Sequence, residues 1–234
     1  MTSDDAAPPY QPMLPPADME RIRRWHERAY AGIAARGEQT FDYLGLTLVV
    51  PPGVQPITPV SHLLGEAVLA EAREGERVLD MGTGCGVNAI LAATKGAQVV
   101  AVDINPRAIE AARANAGRNG VAGRIQVCHS DVFSDVDGTF SLIVFDPPFR
   151  WFKPRDLTET AITDERYQAM TSFFRQARRH LAADARMLIF FGTSGDMAYL
   201  KRLMAGEGFS WAQAAHLEAD RDGVPVEYVT FKVT

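Results

Sequence analysis

The sequence predicts an α/β fold: a doubly wound, mostly parallel seven-stranded sheet with a C-terminal antiparallel hairpin. Three observations carry that prediction. From Leu63 onward, short apolar runs of strand length alternate with helical segments. The first of these strands opens directly into a glycine-rich loop. The chain then closes on two alternating segments joined by an Asp-Gly turn, the signature of an antiparallel pair.

The elements follow in order. Residues 1–17, "MTSDDAAPPYQPMLPPA", are acidic and proline-rich with no apolar core, so they read as a disordered or polyproline arm and not a signal peptide. Residues 18–60 form an N-terminal segment expected to cover a cleft. It holds a helix with apolar spacing at Ile22, Trp25, Ala29 and Ile33 that ends at Gly37 as C′ residue. Arg21, Arg23, Arg24 and Arg28 cluster on it as a solvated face. A short hairpin and a proline-broken loop follow, and Ser61 is placed to cap the next helix. Residues 61–234 make the main domain. Its strands are "RVLDM", "QVVAVDI", "IQVCHS", "SLIVF" and "ARMLIFF", and a helix between the last two lies within "DERYQAMTSFFRQARRHLA". Asn105 and Pro106 fit the N-cap and first position of one helix.

Bulk properties narrow the function. The 234 residues suffice for one full α/β domain and not two. A net charge of −5 gives no overall footprint for nucleic acid, although a local basic patch can hide in the total. Cys85 and Cys128 read as buried reduced thiols, and the five histidines have no ligand spacing, so no metal is expected. Apolar runs of about six residues cannot span a bilayer. The expected location is cytoplasmic.

Chemistry concentrates at the strand ends. In "VLDMGTGCGVNAI", Gly82, Gly84 and Gly86 lie between a buried strand and a helix, where glycine permits positive φ and close approach to a ligand. Asp103 ends the next strand, placed for ribose hydroxyls or, alternatively, as a cap for the following helix. The spacing G-x-G-x-G departs from the dinucleotide pattern G-x-G-x-x-G, and Asp80 would repel a pyrophosphate. A carboxylate there favours a cationic, zwitterionic ligand such as S-adenosylmethionine (SAM) over NAD, and so opposes an NAD-linked oxidoreductase. Asp131 is placed for an adenine amino group, or as a loop cap for Ser134.

The last stretch is "LIVFDPPF". Two prolines fix two φ angles and remove two donors, making a stiff platform of Asp146, Pro147, Pro148 and Phe149. Downstream, Arg150, Lys153 and Arg155 with Trp151 and Phe152 either hold an anionic or aromatic substrate or form an amphipathic lid edge.

With these residues, the chain resembles class I SAM-dependent methyltransferases, which have a Rossmann-like fold. The matching stretches are "VLDMGTGCGVNAI", "VVAVDINPRAIEAARANAGRNG", "CHSDVF" and "LIVFDPPF", in the family's order. The platform narrows the likeness to amino-methylating members with the small methyltransferase domain, and within them to the HemK-type release-factor glutamine methyltransferases. Two features depart: Asp-Pro-Pro-Phe replaces Asn-Pro-Pro-Tyr, and the family's N-terminal helical domain is largely missing. The resemblance implies a cofactor set of Asp80, Gly82, Thr83, Gly84, Cys85, Gly86, Asn88, Asp103, Ile104, Asp131, Val132 and Asp146. It implies catalytic roles for Asp146, Pro147, Pro148 and Phe149, with Phe149, Arg150 and Trp151 on the substrate. The chemistry implied is methyl transfer to an amino or amide nitrogen. A small-molecule or protein acceptor is favoured on net charge, and the exocyclic amine of an RNA base is the alternative. Asp146 would accept an N–H and the Pro147 carbonyl the other, aiming the lone pair at the methyl group. Whether Asp146 is acceptor or base is left open by the sequence.

Overall fold

The computed structural model describes residues 10–234, so the arm assigned to residues 1–17 lies partly outside the described residues. The seven-stranded sheet has the order β5-β4-β3-β6-β7-β9-β8. It comprises β3 (Arg77–Met81), β4 (Gln98–Asp103), β5 (Ile125–His129), β6 (Phe140–Phe145), β7 (Leu181–Gly192), β8 (Trp211–Arg221) and β9 (Val224–Val233). The first five are parallel; β9 runs antiparallel to both β7 and β8. Asp222 and Gly223 take the β8–β9 turn with φ of 58° and 76°, as an Asp-Gly turn requires.

The parallel strands are buried on both faces, which explains their unbroken apolar runs. Along β6, Leu142 and Val144 face α2 (His62–Glu71) and α3 (Val87–Thr94), packing with Leu64, Val68 and Ile90. Ile143 and Phe145 face the other way, toward α5 (Gln168–Ala177) and α6 (Met197–Gly206), packing with Phe173, Phe174 and Leu200. Helix α4 (Pro106–Arg118) starts as predicted: the Asn105 side chain accepts from the Arg107 N–H at 3.0 Å, with Pro106 in the first turn.

Ahead of the sheet come α1 (Pro16–Ala34) and a separate hairpin of β1 (Gln39–Tyr43) and β2 (Leu46–Val50). Several local expectations are corrected here. Helix α1 begins at Pro16 and ends on Ala35 in a right-handed conformation, so Gly37 lies past the terminus instead of at C′. Residues 10–17 are not a loose arm, because the Tyr10 hydroxyl donates to Asp196 at 2.8 Å and Met13 N–H bonds the same oxygen at 2.7 Å. Ser61 flanks α2 but caps nothing; its hydroxyl instead bonds back to Thr58. Cys85 is buried and Cys128 only half-buried, both as free thiols. The helix expected from "DERYQAM" starts late, since Arg166 and Tyr167 both take φ of 52° and interrupt it.

Candidate active site

The register of the sheet assembles the site. The chain runs outward from β3 through β4 to β5, then returns to place β6 on the other flank of β3, which makes a topological switch point between β3 and β6. Ligands in open α/β sheets bind at such a point, beyond the carboxyl ends of the strands. Met81 pairs with both Val102 and Phe145, and Asp103 pairs with His129. Gly82, Asp103, Asp131 and Asp146 therefore leave the sheet along a single edge.

The loop after β3 needs its glycines. Gly82, Gly84 and Gly86 have φ of 69°, 54° and 88°. At Gly86 a Cβ would also stand 3.0 Å from Ala112 of α4, so this residue sets how closely the two helices pack. Asp80 is 2% exposed. Its carboxylate accepts from the Thr83 hydroxyl at 2.5 Å and from the Ala89 N–H at 3.0 Å. Burial raises its pKa to about 6, against those two bonds. Thr83 is thus turned inward, toward Asp80. Cys85 is sealed, its thiol pushed up to about 12 by burial, and its carbonyl accepts from Asn115. Asn88 and Ile104 are half-buried at the rim.

Asp103 bonds two backbone N–H groups, Gly84 at 2.9 Å and Asn105 at 2.9 Å. Helix capping belongs to Asn105, so Asp103 instead ties the glycine loop to the end of β4. Asp131 is exposed, and no hydrogen bond among the described residues engages its carboxylate. The local turn closes through Asp131 N–H and the Ser134 hydroxyl, so the carboxylate does not cap Ser134. Val132 beside it has φ of 51°, strained for a β-branched residue, and its carbonyl is held by the Ser130 hydroxyl at 2.8 Å.

Across the switch point, Asp146 opens to solvent on one side with chain packed around the rest of it. Burial, then repulsion from Asp80, raises its carboxyl to about 7, and it has no hydrogen bond among the described residues. Pro147 is buried, with Pro148 and Phe149 half-buried. The Phe149 ring leans on Phe191 and Phe190 at 5.0 and 5.6 Å between centroids, with Tyr228 at 6.4 Å. Its carbonyl accepts from the Tyr167 hydroxyl, which accepts in turn from Asp196 N–H at 2.9 Å. Gly195 lies so close that a Cβ there would fall 2.0 Å from the Phe149 carbonyl oxygen. The platform is therefore pinned from beneath.

Residues 150–165 fold back on the platform. Arg150 bridges Thr163, and the Arg150 carbonyl accepts from Asp164 N–H at 2.9 Å. Of the cations considered there, Arg155 is committed to Glu159 and Glu27. Burial alone would raise Glu159, yet the Arg155 bonds bring it down to about 2. Arg150 is buried and Lys153 exposed. Trp151 and Phe152 pack with Ile22, Trp25 and Val226, so α1 and the β8–β9 hairpin form a wall beyond Phe149.

Some groups at this edge escape sequence reasoning. Tyr43, at the tip of the β1–β2 hairpin, sets its phenol against Gly65 of α2, and its pKa is raised by burial and by the charges of Glu66 and Asp146. Its only local signal is an aromatic beside the Leu-Gly turn. Tyr167 and Asp196 have none, because their partners are distant in the chain. A separate cavity of about 340 Å³ lies at the opposite strand edge, among Arg73, Glu76, Asp184, Arg186 and Lys232. It belongs to an ion-pair network and not to the switch point. Among the described residues no group of three or more acidic, histidine or cysteine side chains is arranged for a metal, and no helix is long and apolar enough to cross a membrane.

The methyltransferase small domain family matches this chain over residues 55–204, well over half its length. The chain belongs to that family. It is a SAM-dependent methyltransferase. Over 120 residues it is 38% identical to the ribosomal RNA small subunit methyltransferase C of Chromohalobacter salexigens, covering 47% of this chain and 34% of that protein. Over 73 residues it is 51% identical to the ribosomal protein L11 methyltransferase of Pelotomaculum thermopropionicum, covering 31% and 24%. The chain thus spans about a third or less of the length of these two relatives. A crystal structure of the ribosomal protein L11 methylase of Lactobacillus delbrueckii subsp. bulgaricus superposes with a TM-score of 0.60 at 23% identity, over 79% of this chain and 83% of that one. That likeness is one of fold.

The residues present fit SAM. Asp146 is raised in part by repulsion from Asp80 across the switch point, and neither carboxylate is paired with a cation among the described residues. A sulfonium and an ammonium group would relieve it. Nothing lies within 4 Å of where a Cβ would stand on Gly82 or Gly84, so the space above the loop is open.

Proposed function

We propose that this small-domain methyltransferase transfers a methyl group to a planar amino nitrogen held by Asp146, and that the acceptor is the exocyclic amine of an RNA base. The observation carrying the proposal is the free Asp146 carboxylate on a rigid Pro-Pro turn, one strand away from the glycine loop. SAM supplies an electrophilic methyl group on a good leaving group. This chain's residues do the rest by orientation. Asp146 accepts one N–H of the acceptor and the Pro147 carbonyl the other, leaving the lone pair aimed along the transfer axis. Phe149 offers its face to the planar group that carries the nitrogen. Orientation of this kind contributes up to about 7–11 kcal/mol in favourable systems. A charge-assisted bond to Asp146 adds about 1.5–3 kcal/mol.

The net charge argued for a small molecule or a protein, and the local arrangement argues the other way. On the wall beyond Phe149, Arg23 lies 4.7 Å over Phe152 and Arg221 lies 4.8 Å over Trp25. Such arginines suit phosphates, and the half-buried Trp151 and Phe152 beside them, unlike the buried Trp25, can meet unpaired bases. The relative from Chromohalobacter, a ribosomal RNA methyltransferase, supports the same class. Methylation of a protein side chain is the second reading, favoured by the L11 methyltransferase match. The release-factor likeness guides less, because Asp146-Pro147-Pro148-Phe149 stands where those enzymes have Asn-Pro-Pro-Tyr.

The domain division enters the proposal too. Residues 18–60 are taken as the acceptor wall, tied by long-range bonds instead of hung as a loose flap: Trp25 bonds Asp222 at 2.7 Å and the buried His26 bonds Glu159 at 2.8 Å. Deleting residues 1–37 is expected to spare SAM affinity and damage turnover. The function itself is tested by incubating the chain with radiolabelled SAM and either total RNA or stripped ribosomal proteins. Label in N-methylated nucleosides is expected. Label confined to protein would transfer the proposal to the second reading.

A further inference from the structure

Two arginines in this chain are each 7% exposed, Arg150 and Arg186. Arg186 shows what a structural one looks like: it bonds Glu71, Glu76 and the Ser141 carbonyl. Arg150 has none of this. No ion pair or side-chain hydrogen bond among the described residues engages its guanidinium, and its Nε is enclosed without a partner. A guanidinium carries five N–H donors. Leaving its enclosed Nε–H unmatched is costly.

The surroundings sharpen the mismatch. Burial lowers the Arg150 pKa to about 10, and Arg221 pushes in the same direction. The other groups facing it are the phenols of Tyr228 and Tyr167, and His26, whose protonated form it disfavours. None of these is an anion. Tyr228 also faces the Phe149 ring, so the guanidinium belongs to the acceptor side of the platform.

We propose that Arg150 anchors a phosphate group of the methyl acceptor, one residue beyond the ring on which the acceptor base stacks. The inference rests on the methyl-transfer reading above and adds the group that fixes the base in register. A planar fork of donors matches two phosphate oxygens at once. Arg221 supplies a second positive charge beside it, and an anion between them converts their repulsion into attraction. The phosphate has two possible sources, the terminal group of a mononucleotide or the bridging group of an RNA chain.

The test uses the full chain saturated with S-adenosylhomocysteine. Adenosine, guanosine, their 5′-monophosphates and a short single-stranded RNA are titrated into the wild type, Arg150→Met and Arg150→Lys. Phosphate-bearing probes should bind the wild type at least about tenfold more tightly than the nucleosides, a preference that Arg150→Met abolishes and Arg150→Lys keeps in part. Nucleoside and S-adenosylhomocysteine affinities should stay unchanged. RNA binding more tightly than the monophosphates, with a salt slope that drops by about one in Arg150→Met, identifies the bridging phosphate. The reverse order identifies the terminal one. Inorganic phosphate should raise the melting temperature of the wild type and not of Arg150→Met, which itself should melt no lower.

Equal binding of nucleosides and their phosphates by the wild type overturns the anchor. So does an Arg150→Met variant that melts well below it, since that marks a structural guanidinium. The two proposals also fail separately. RNA labelled by SAM at an unchanged rate in Arg150→Met removes the anchor and leaves the methyl-transfer reading. Phosphate preference lost in the variant, with no RNA labelled by the wild type, does the reverse.

Discussion

The cofactor edge and the acceptor edge of this site are built in opposite ways. On the cofactor edge, polar groups close mostly over short stretches of chain, Asp80 with Thr83 and Ala89 and Asn105 with Arg107, with longer reaches from Asp103 to Gly84 and from Asn105 to the Gly53 carbonyl. On the acceptor edge they close over long ones, Tyr10 with Asp196, Trp25 with Asp222 and His26 with Glu159. The first edge rests mainly on the β3–β4 unit and its loops. The second exists only once the whole chain has folded, and its backbone carries strain at Arg166 and Tyr167. A scaffold arranged this way can keep one cofactor and change its acceptor by altering remote segments. It follows that damage to one edge should leave the other intact.

The largest expected effect breaks the acceptor edge alone. Asp146→Ala should lower turnover by a factor of hundreds, about 3 kcal/mol on the barrier, while the fold survives. Asp146→Asn should do less harm, because an amide oxygen still accepts an N–H. A general-base role predicts instead that Asn is nearly as crippled as Ala and that the wild-type rate follows a carboxylate titration near pH 7. Rates of both variants across pH decide between them. If neither changes the rate, the platform is not where the chemistry happens.

Asp103→Ala is the reciprocal experiment. It should weaken SAM and S-adenosylhomocysteine binding by about 1.5–3 kcal/mol, since it both loosens the glycine loop and removes a ribose acceptor. Calorimetry measures this directly, and unchanged affinity would reduce Asp103 to a loop tether. A smaller effect is expected at Gly195→Ala, back on the acceptor side. The new methyl must displace the Phe149 carbonyl, a clash worth about 1–3 kcal/mol of overpacking. Turnover should fall roughly tenfold with cofactor affinity kept. Loss of both together would mean that the edges are not separable.

That asymmetry also explains what could be read in advance. The sheet, its terminal hairpin, the glycine loop, Asp103, Asp131 and the platform were legible, because each is a local pattern at a strand end and parallel register brings strand ends together. Asp80 was legible as an unusual carboxylate, although its bonds to Thr83 and Ala89 were not. The wall was legible only as leftover segments. Nothing near Tyr167 in the chain announces that its hydroxyl will hold Phe149, and its left-handed backbone contradicts the helical pattern around it. Net charge is silent about this wall for a related reason. It averages over pairs such as Arg155 with Glu159, while the unpaired Arg150 is visible only in three dimensions.

The smallest expected effect concerns stability and pH, and it tests whether SAM's positive charge is what the cofactor edge lends to the acceptor edge. The Asp146 carboxyl is raised from 3.8 to about 7, by burial and then by Asp80. A carboxyl raised on folding contributes stability that is full below its unfolded value, about 3.8, and is lost as pH rises through about 7. Asp146→Asn cannot ionise and so does not incur this loss. Its melting temperature should match the wild type near pH 4, pull ahead between pH 4 and 7, and stay ahead above that. Because Asp146 is open to solvent on one side, the lead should be modest, on the order of a few degrees. Glu159, lowered to about 2, acts below this window and cancels between the two proteins. Saturating SAM should then erase the lead, since its cationic groups favour the ionised carboxylate and draw its pKa down. A lead that is the same at every pH, or that survives SAM, would mean that Asp146 does not feel the cofactor's charge.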